Sequence, residues 1–85
     1  MLLPETREEL IRRLRRIEGQ TQGIQRMLLE GRDCREVLDQ LASVRAATRM
    51  VGIELMKSYL ATCLSDPECG NASAVDEMIG VLLRV

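Results

Sequence analysis

Three cysteines are the side chains best suited to chemistry in this 85-residue chain, which contains no histidine. Cys34 and Cys63 stand 29 positions apart in a stretch without proline, which we predict to be a single helix. That separation makes close to eight turns and about 43 Å of rise, so both thiols lie on the same side of the helix, at opposite ends. They cannot meet within one chain. They become neighbours if two copies pair antiparallel, with Cys34 of one copy beside Cys63 of the other.

The surroundings of these two thiols predict different reactivities. Cys34 falls in the first turn of the predicted helix between Arg32 and Arg35, where helix amides and cations favour the thiolate nucleophile, although Asp33 opposes them. Cys63 falls near the helix C-terminus, where the helix dipole disfavours a thiolate. We therefore predict that Cys34 is a sensing thiol and Cys63 a resolving thiol. The alternative is that both are buried and act as small hydrophobic side chains.

The third thiol, Cys69, lies in a predicted turn over residues 65–70, where Pro67 and Gly70 interrupt helical structure. We expect an exposed spectator thiol at this position. The alternative is a third sulfur close to Cys63.

Several classes of function are excluded by what the chain lacks. Without histidine there is no Ser–His or Cys–His pair, and no glycine-rich phosphate loop or obvious carboxylate pair is present, so we do not expect an enzyme. The apolar start, residues 1–4, is too short for a signal peptide. No uncharged run approaches the roughly 18 residues of a membrane span. We therefore predict a cytoplasmic protein with no membrane partner.

The pattern of apolar residues predicts an all-α fold in one domain, residues 1–85. The first helix is expected to begin near Pro4–Thr6 with Thr6 as its cap, and to end at Gly31. The second is expected from Asp33, with Glu36 completing a capping box, to Leu64. The third is expected to run from Asn71 or Ser73 to the C-terminus.

Both long helices carry an apolar face, and that of the second is wider than one protomer can cover. The first has a coiled-coil spacing, formed by Leu10, Leu14, Ile17, Thr21, Ile24 and Leu28. The second has a wide apolar arc, formed by Val37, Leu38, Leu41, Ala42, Val44, Val51, Ile53, Leu55, Met56, Leu60 and Leu64. A helix of about 45 Å would also extend beyond a compact globule of this length, which is roughly 30 Å across. The sequence therefore predicts an oligomer.

Arginine is concentrated in the first half of the chain, and four of the five residues 12–16 are arginine. On a helical wheel Arg12 and Arg16 lie opposite the apolar seam, on the same stripe as Gly19 and Gly23. The glycines suggest close approach of a phosphate or another subunit to the helix backbone. The alternative for this arginine run is a solvated helix face.

Arg45 and Arg49 lie one turn apart in the second helix, on the cysteine side of its apolar arc. One interpretation is a cationic patch that contacts DNA. The other is a salt bridge to Glu18 or Glu54 of a second subunit. The pattern alone does not favour either.

Three segments together resemble the CsoR/RcnR family of bacterial repressors. They are RLRRIEGQTQGI (13–24), GRDC (31–34) and QLASVRAA (40–47), followed by a cysteine 29 residues after Cys34. The resemblance implies a three-helix protomer that forms an antiparallel dimer, with dimers pairing into a flat tetramer that binds operator DNA until an inducer releases it. It further implies DNA contacts from Arg13, Arg16, Arg45 and Arg49, to which the wheel adds Arg12.

The positions of the ligands distinguish the branches of that family. Copper-sensing members carry a cysteine at the position of Cys34, a histidine at that of Tyr59 and a cysteine at that of Cys63. A neutral phenol is a poor ligand for a soft ion. Nickel and cobalt sensors need several histidines. Formaldehyde sensors use an N-terminal proline amine, whereas Pro4 is internal here.

What remains resembles the persulfide-sensing, CstR-like branch, which keeps the two cysteines and lacks the histidine. We therefore predict a homodimeric or homotetrameric repressor of double-stranded operator DNA with a small persulfide as inducer. Cys34 and Cys63 of neighbouring subunits would react with it and become cross-linked, Tyr59 and Cys69 would lie nearby, and no cofactor is expected. The alternative is a Cu(I)-responsive repressor that binds the metal through Cys34, Cys63 and Cys69.

Overall fold

The structure, a computed structural model, describes residues 2–64 and 72–84, with side chains described at 2–62, 76–81 and 83–84. Over these residues the chain is all-helical, with α1 at Pro4–Leu29, α2 at Cys34–Leu64 and α3 at Ala72–Arg84. The predicted three-helix protomer is confirmed. The predicted turn at residues 65–70, and Cys69 with it, lies outside the described residues. Ser73, one of the two predicted caps of the third helix, lies inside α3, and Asn71 is not described.

Proline determines where α1 begins. Leu3 is extended (φ −63°, ψ 145°) and Pro4 is the first helical residue. Proline suits that position because its φ is already helical and the missing N–H would have no helical partner. The first helical bond follows, as the Arg7 amide donates to the Leu3 carbonyl at 3.0 Å. Thr6 lies inside the helix, so its predicted role as the cap was wrong.

Glycine determines where α1 ends. Gly31 has a φ of +70°, a left-handed conformation that only glycine adopts without strain. The Gly31 amide donates to the Leu28 carbonyl at 3.2 Å, and the Arg32 amide donates to the Met27 carbonyl at 2.9 Å. These two bonds form a Schellman motif. The prediction that Gly31 terminates the first helix is confirmed.

The second helix is uninterrupted over 31 residues and therefore about 46 Å long. The protomer measures 54 × 26 × 12 Å and has a radius of gyration of 16.7 Å, against about 12 Å for a compact globule of this length. As predicted, α2 extends beyond a compact core.

Near the start of α2, Glu36 accepts two hydrogen bonds from Arg32, at 2.7 and 3.0 Å. These bonds replace the predicted capping box.

The core of the described protomer is small. Its buried side chains come from α1 and α2, namely Leu10, Ile24, Val37, Val51 and Met56. Large apolar side chains remain exposed on all three helices, among them Leu14, Leu28, Leu29, Leu38, Leu41, Met50, Leu55, Ile79, Val81 and Leu83. Monomeric proteins rarely leave so many exposed. This surface supports the predicted oligomer, which stays a prediction.

The described helices do not meet the requirements of a bilayer span. None of them combines the length and the apolar character of a membrane-spanning segment.

Candidate nucleic-acid interface and thiol site

A groove of about 450 Å³ lies between the N-terminal half of α1 and the middle of α2. We call it the arginine groove, and its lining comprises Glu9, Arg12, Arg13, Arg16, Ile17, Gln20, Ala47 and Met50. The α1 residues share one face because they are spaced three or four positions apart. The groove brings together three of the five arginines predicted to bind DNA. With three guanidinium groups and one carboxylate, it is a locally cationic surface on a chain of net charge −1.

Two of these arginines already have an anionic partner. The Glu9 carboxylate lies 2.9 Å from Arg12 Nη1 and accepts a hydrogen bond from Arg13 Nε at 3.4 Å. The Arg12 side chain is 70% exposed and that of Arg13 38%. Exposed pairs of this kind contribute only about 0.2–1 kcal/mol, so a stronger anion can replace the carboxylate.

Arg16, Arg45 and Arg49 differ from this pair. All three are exposed, and the described part of the chain provides none of them with an ion pair. Arg45 and Arg49 lie on α2 outside the arginine groove. Glu54, a predicted partner for them, lies 3.6 Å from Lys57 Nζ instead. Both interpretations of Arg45 and Arg49 therefore remain predictions.

Sequence reasoning missed several residues of the arginine groove. Glu9 could have been found, because it precedes Arg12 and Arg13 by three and four positions, the spacing of helical ion pairs. Gln20 could not have been found, since the burial of its Oε1 atom without a hydrogen-bond donor is a property of the folded chain. Ala47 and Met50 come from the second helix, and their position opposite α1 is a property of the packing.

A second, smaller cavity of about 240 Å³ shares Arg13 and Glu9 with the arginine groove. Glu5, Glu9 and Glu54 contribute carboxyl groups to its lining, and Thr6 and Leu10 complete it. Arg13 therefore stands between a cationic groove and a cavity rich in carboxylates. Arg12 and Arg16 line the groove but not this second cavity.

The two glycines on the arginine stripe face open space. A Cβ atom added at Gly19 or Gly23 would meet no atom within 4 Å outside its own helix backbone. Packing within the protomer therefore does not explain why these positions are glycine. Close approach of a partner or of DNA stays a prediction.

Cys34 is an exposed, free thiol in the first turn of α2. The neighbouring Arg32 is paired with two carboxylates, since its Nη2 lies 2.7 Å from Glu36 and its Nη1 lies 3.9 Å from Glu30. Activation of Cys34 by Arg32 stays a prediction. Arg35 is exposed and remains the other basic neighbour in sequence. We call residues 30–36 the thiol end of α2.

The other predicted sensor positions lie at the opposite end of the same helix. Residue 63 belongs to the last turn of α2, about 43 Å of helical rise from Cys34. Tyr59 is half-buried one turn earlier. The side chain of Cys63 lies outside the described set. Over the side chains that are described, no group of three or more Cys, Asp or Glu residues is placed to hold a metal ion.

Comparison with known proteins gives a uniform result. A sequence profile described as "Metal-sensitive transcriptional repressor" matches residues 6–84. The copper-sensing transcriptional repressor RicR of Mycobacterium tuberculosis is 38% identical over 61 residues, which are 72% of this chain and 64% of RicR. The match thus spans slightly less than two thirds of the length of RicR. The copper-sensing transcriptional repressor CsoR of Bacillus subtilis is 34% identical over 80 residues, 92% of this chain and 79% of that protein.

Solved structures agree with the sequence matches. A variant of the formaldehyde-responsive regulator FrmR from Salmonella enterica superposes with a TM-score of 0.73 at 32% identity, over 96% of this chain and 94% of FrmR. The copper-sensing repressor CsoR with Cu(I) from Geobacillus thermodenitrificans gives a TM-score of 0.75 at 28% identity, over 99% and 85% of the two chains. The profile, the two sequence relatives and the shared helical fold lead to one conclusion. This chain belongs to the CsoR/RcnR family of metal-sensitive transcriptional repressors, a family of regulators rather than enzymes.

Proposed function

We propose that this protein represses transcription by binding double-stranded operator DNA and that Cu(I), bound through cysteine thiolates, releases it. The observation that carries the DNA-binding part is the arginine groove on a member of a repressor family. Arg12, Arg13 and Arg16 would contact phosphates there. Guanidinium groups suit this role because they bind phosphate oxygens in a bidentate manner.

The acting form is proposed to be an antiparallel homodimer, with two dimers forming a flat tetramer. Exposed apolar side chains on α1, α2 and α3 supply the surface that such an assembly would cover. Antiparallel pairing along α2 would bring Cys34 of one copy to residue 63 of the other. It would also place Arg45 and Arg49 near the centre of the assembly, where they could extend the DNA surface.

Cu(I) is the first candidate inducer because the relatives RicR and CsoR are named as copper-sensing repressors. Thiolates are the ligands that a soft ion of this kind prefers. The exposed Cys34 fits that chemistry, whereas Tyr59 does not. Cys63 of a second copy, and Cys69, would supply the remaining sulfur ligands.

A persulfide is the second candidate, favoured by Tyr59 and by the absence of histidine from the chain. In this reaction the Cys34 thiolate attacks the outer sulfur of a low-molecular-weight persulfide, which releases a thiolate and leaves a persulfide on Cys34. The Cys63 thiolate of a second copy then attacks the Cys34 sulfur and expels hydrosulfide, forming an inter-subunit disulfide. If both cysteines are persulfidated first, the persulfide of one attacks the inner sulfur of the other and expels hydrosulfide, which leaves a trisulfide bridge.

One titration series distinguishes these candidates. The reduced protein is bound to its operator, or to a labelled duplex of the promoter region upstream of its own gene, and DNA release is followed by fluorescence anisotropy. Additions of Cu(I) under anaerobic conditions and of glutathione persulfide are compared. We expect stoichiometric Cu(I) to release the DNA reversibly, with recovery on adding a Cu(I) chelator.

The persulfide reaction has a different readout. Release by persulfide, together with a covalent dimer in non-reducing mass analysis that Cys34→Ser removes, would assign the persulfide function instead. Failure of both additions to change the DNA affinity would exclude both inducers. Absence of DNA binding at low salt would exclude the repressor function, because arginine–phosphate contacts are strongest there.

A further inference from the structure

We propose that Glu9 is an internal competitor for the phosphate groups of DNA and sets how tightly the arginine groove binds them. This inference rests on the proposed DNA-binding function and assigns a regulatory residue to the same surface. The juxtaposition that suggests it is a single carboxylate in contact with two of the groove's three guanidinium groups.

The geometry of Glu9 fits competition. Its carboxylate oxygens divide between two partners, with Oε2 at 2.9 Å from Arg12 and Oε1 at 3.4 Å from Arg13. The acid precedes both arginines along the helix, which is the more favourable order for a helical ion pair. In the free protein, therefore, Arg12 and Arg13 are partly neutralised, while Arg16 in the same groove has no ion pair among the described residues.

The pairs are also accessible to an incoming anion. The Glu9 side chain is 44% exposed and that of Arg12 70%, so a phosphate reaches the guanidinium without any rearrangement of the core. A phosphate oxygen pair binds a guanidinium in the same bidentate manner as a carboxylate does. DNA must then displace Glu9, and the free energy of the lost ion pairs is subtracted from the binding free energy.

Competition of this kind lowers the affinity of the groove for DNA of any sequence. It weakens every complex made through Arg12 and Arg13, including those with non-specific DNA. Contacts that only the operator supplies are not affected. The same cost is subtracted for operator and bulk DNA alike, so Glu9 lowers the absolute affinity and leaves the ratio of the two affinities unchanged.

The test compares Glu9→Gln with Glu8→Gln. Both variants remove one negative charge from neighbouring positions, but Glu8 is exposed and has no ion pair in the described structure. Affinity for a labelled duplex of mixed sequence is measured by anisotropy at several salt concentrations. We expect Glu9→Gln to bind about three- to tenfold more tightly than wild type, and Glu8→Gln to differ by less than about twofold.

A second measurement checks that the effect of Glu9→Gln depends on the ion pair between Glu9 and Arg12. In an Arg12→Ala background the gain from Glu9→Gln should shrink, because one of the two competing pairs is already absent. Equal affinities of Glu9→Gln and Glu8→Gln, with wild type binding DNA, would overturn the competitor role alone. Weaker binding by Glu9→Gln would overturn it too, by showing that Glu9 positions the arginines. If neither wild type nor Glu9→Gln binds the duplex at low salt, both the competitor role of Glu9 and the DNA-binding function are excluded.

Discussion

The arginine groove and the thiol end of α2 differ in how much of each site one protomer contains. In the groove, α1 and α2 of the same chain bring three guanidinium groups, a carboxylate and an amide together. At the thiol end, Cys34 is exposed, and the other cysteine of α2 lies about 43 Å away along the same helix.

One of these sites is therefore formed by the folding of a single chain, whereas the other requires the assembly of two chains. The surface proposed to bind DNA forms as soon as the helical hairpin of α1 and α2 folds. The proposed sensor is incomplete until a second copy supplies its other half. A signal that acts on the sensor would therefore act on the contact between copies, and DNA affinity would change because the spacing between grooves changes.

The largest expected effect comes from complementation between two inactive variants. Cys34→Ser and Cys63→Ser should each lose the response to inducer completely while still binding DNA. Unfolding and refolding them together as an equal mixture should restore about a quarter of the sites. About half of the dimers formed are mixed, and each mixed antiparallel dimer contains one intact Cys34–Cys63 pair out of two. The response is measured as inducer-dependent loss of DNA anisotropy. A mixture that stays as unresponsive as its components would show that the thiols do not act across subunits.

An intermediate effect is expected from the groove itself. Arg16→Ala should weaken DNA binding about tenfold, since it removes a charged contact that no carboxylate of the described residues offsets. The negative slope of log affinity against log salt concentration should become smaller in magnitude by about one unit for each copy that contacts DNA. Arg26→Ala is the control, because Arg26 lies in the last turn of α1, away from the groove. Equal losses in the two variants would show that only overall charge matters.

The smallest expected effect concerns the turn at Gly31, which joins α1 to α2. Gly31→Ala should lower the free energy of unfolding by about 1–2 kcal/mol, because alanine is strained at a φ of +70°. Gly80→Ala in α3 should instead raise it by about 0.5–1 kcal/mol, since a Cβ there meets open space. Urea denaturation at matched protein concentration measures both. If Gly31→Ala does not destabilise the protein, the Schellman motif does not hold the helical hairpin together.

The sequence predicted most of the fold because its signals are local. Proline at position 4 and glycine at position 31 act on their own backbone angles, so the ends of α1 could be predicted to within a few residues. The error at Thr6 arose because two start signals lay close together and proline took the first helical position. Glu36 was assigned to a capping box, but Arg32 lies one turn before it and forms the stronger, charged interaction.

By itself, then, the sequence determined the helices, the placement of two cysteines at opposite ends of one long helix, and the concentration of arginine on α1. These properties depend on neighbours within a turn or two and on helical periodicity. Only the tertiary structure decided which arginines share a groove with Ala47 and Met50. That outcome depends on how two helices pack, which is not encoded by the spacing of residues along one helix, whereas the ion pairs of Glu9 follow from that spacing.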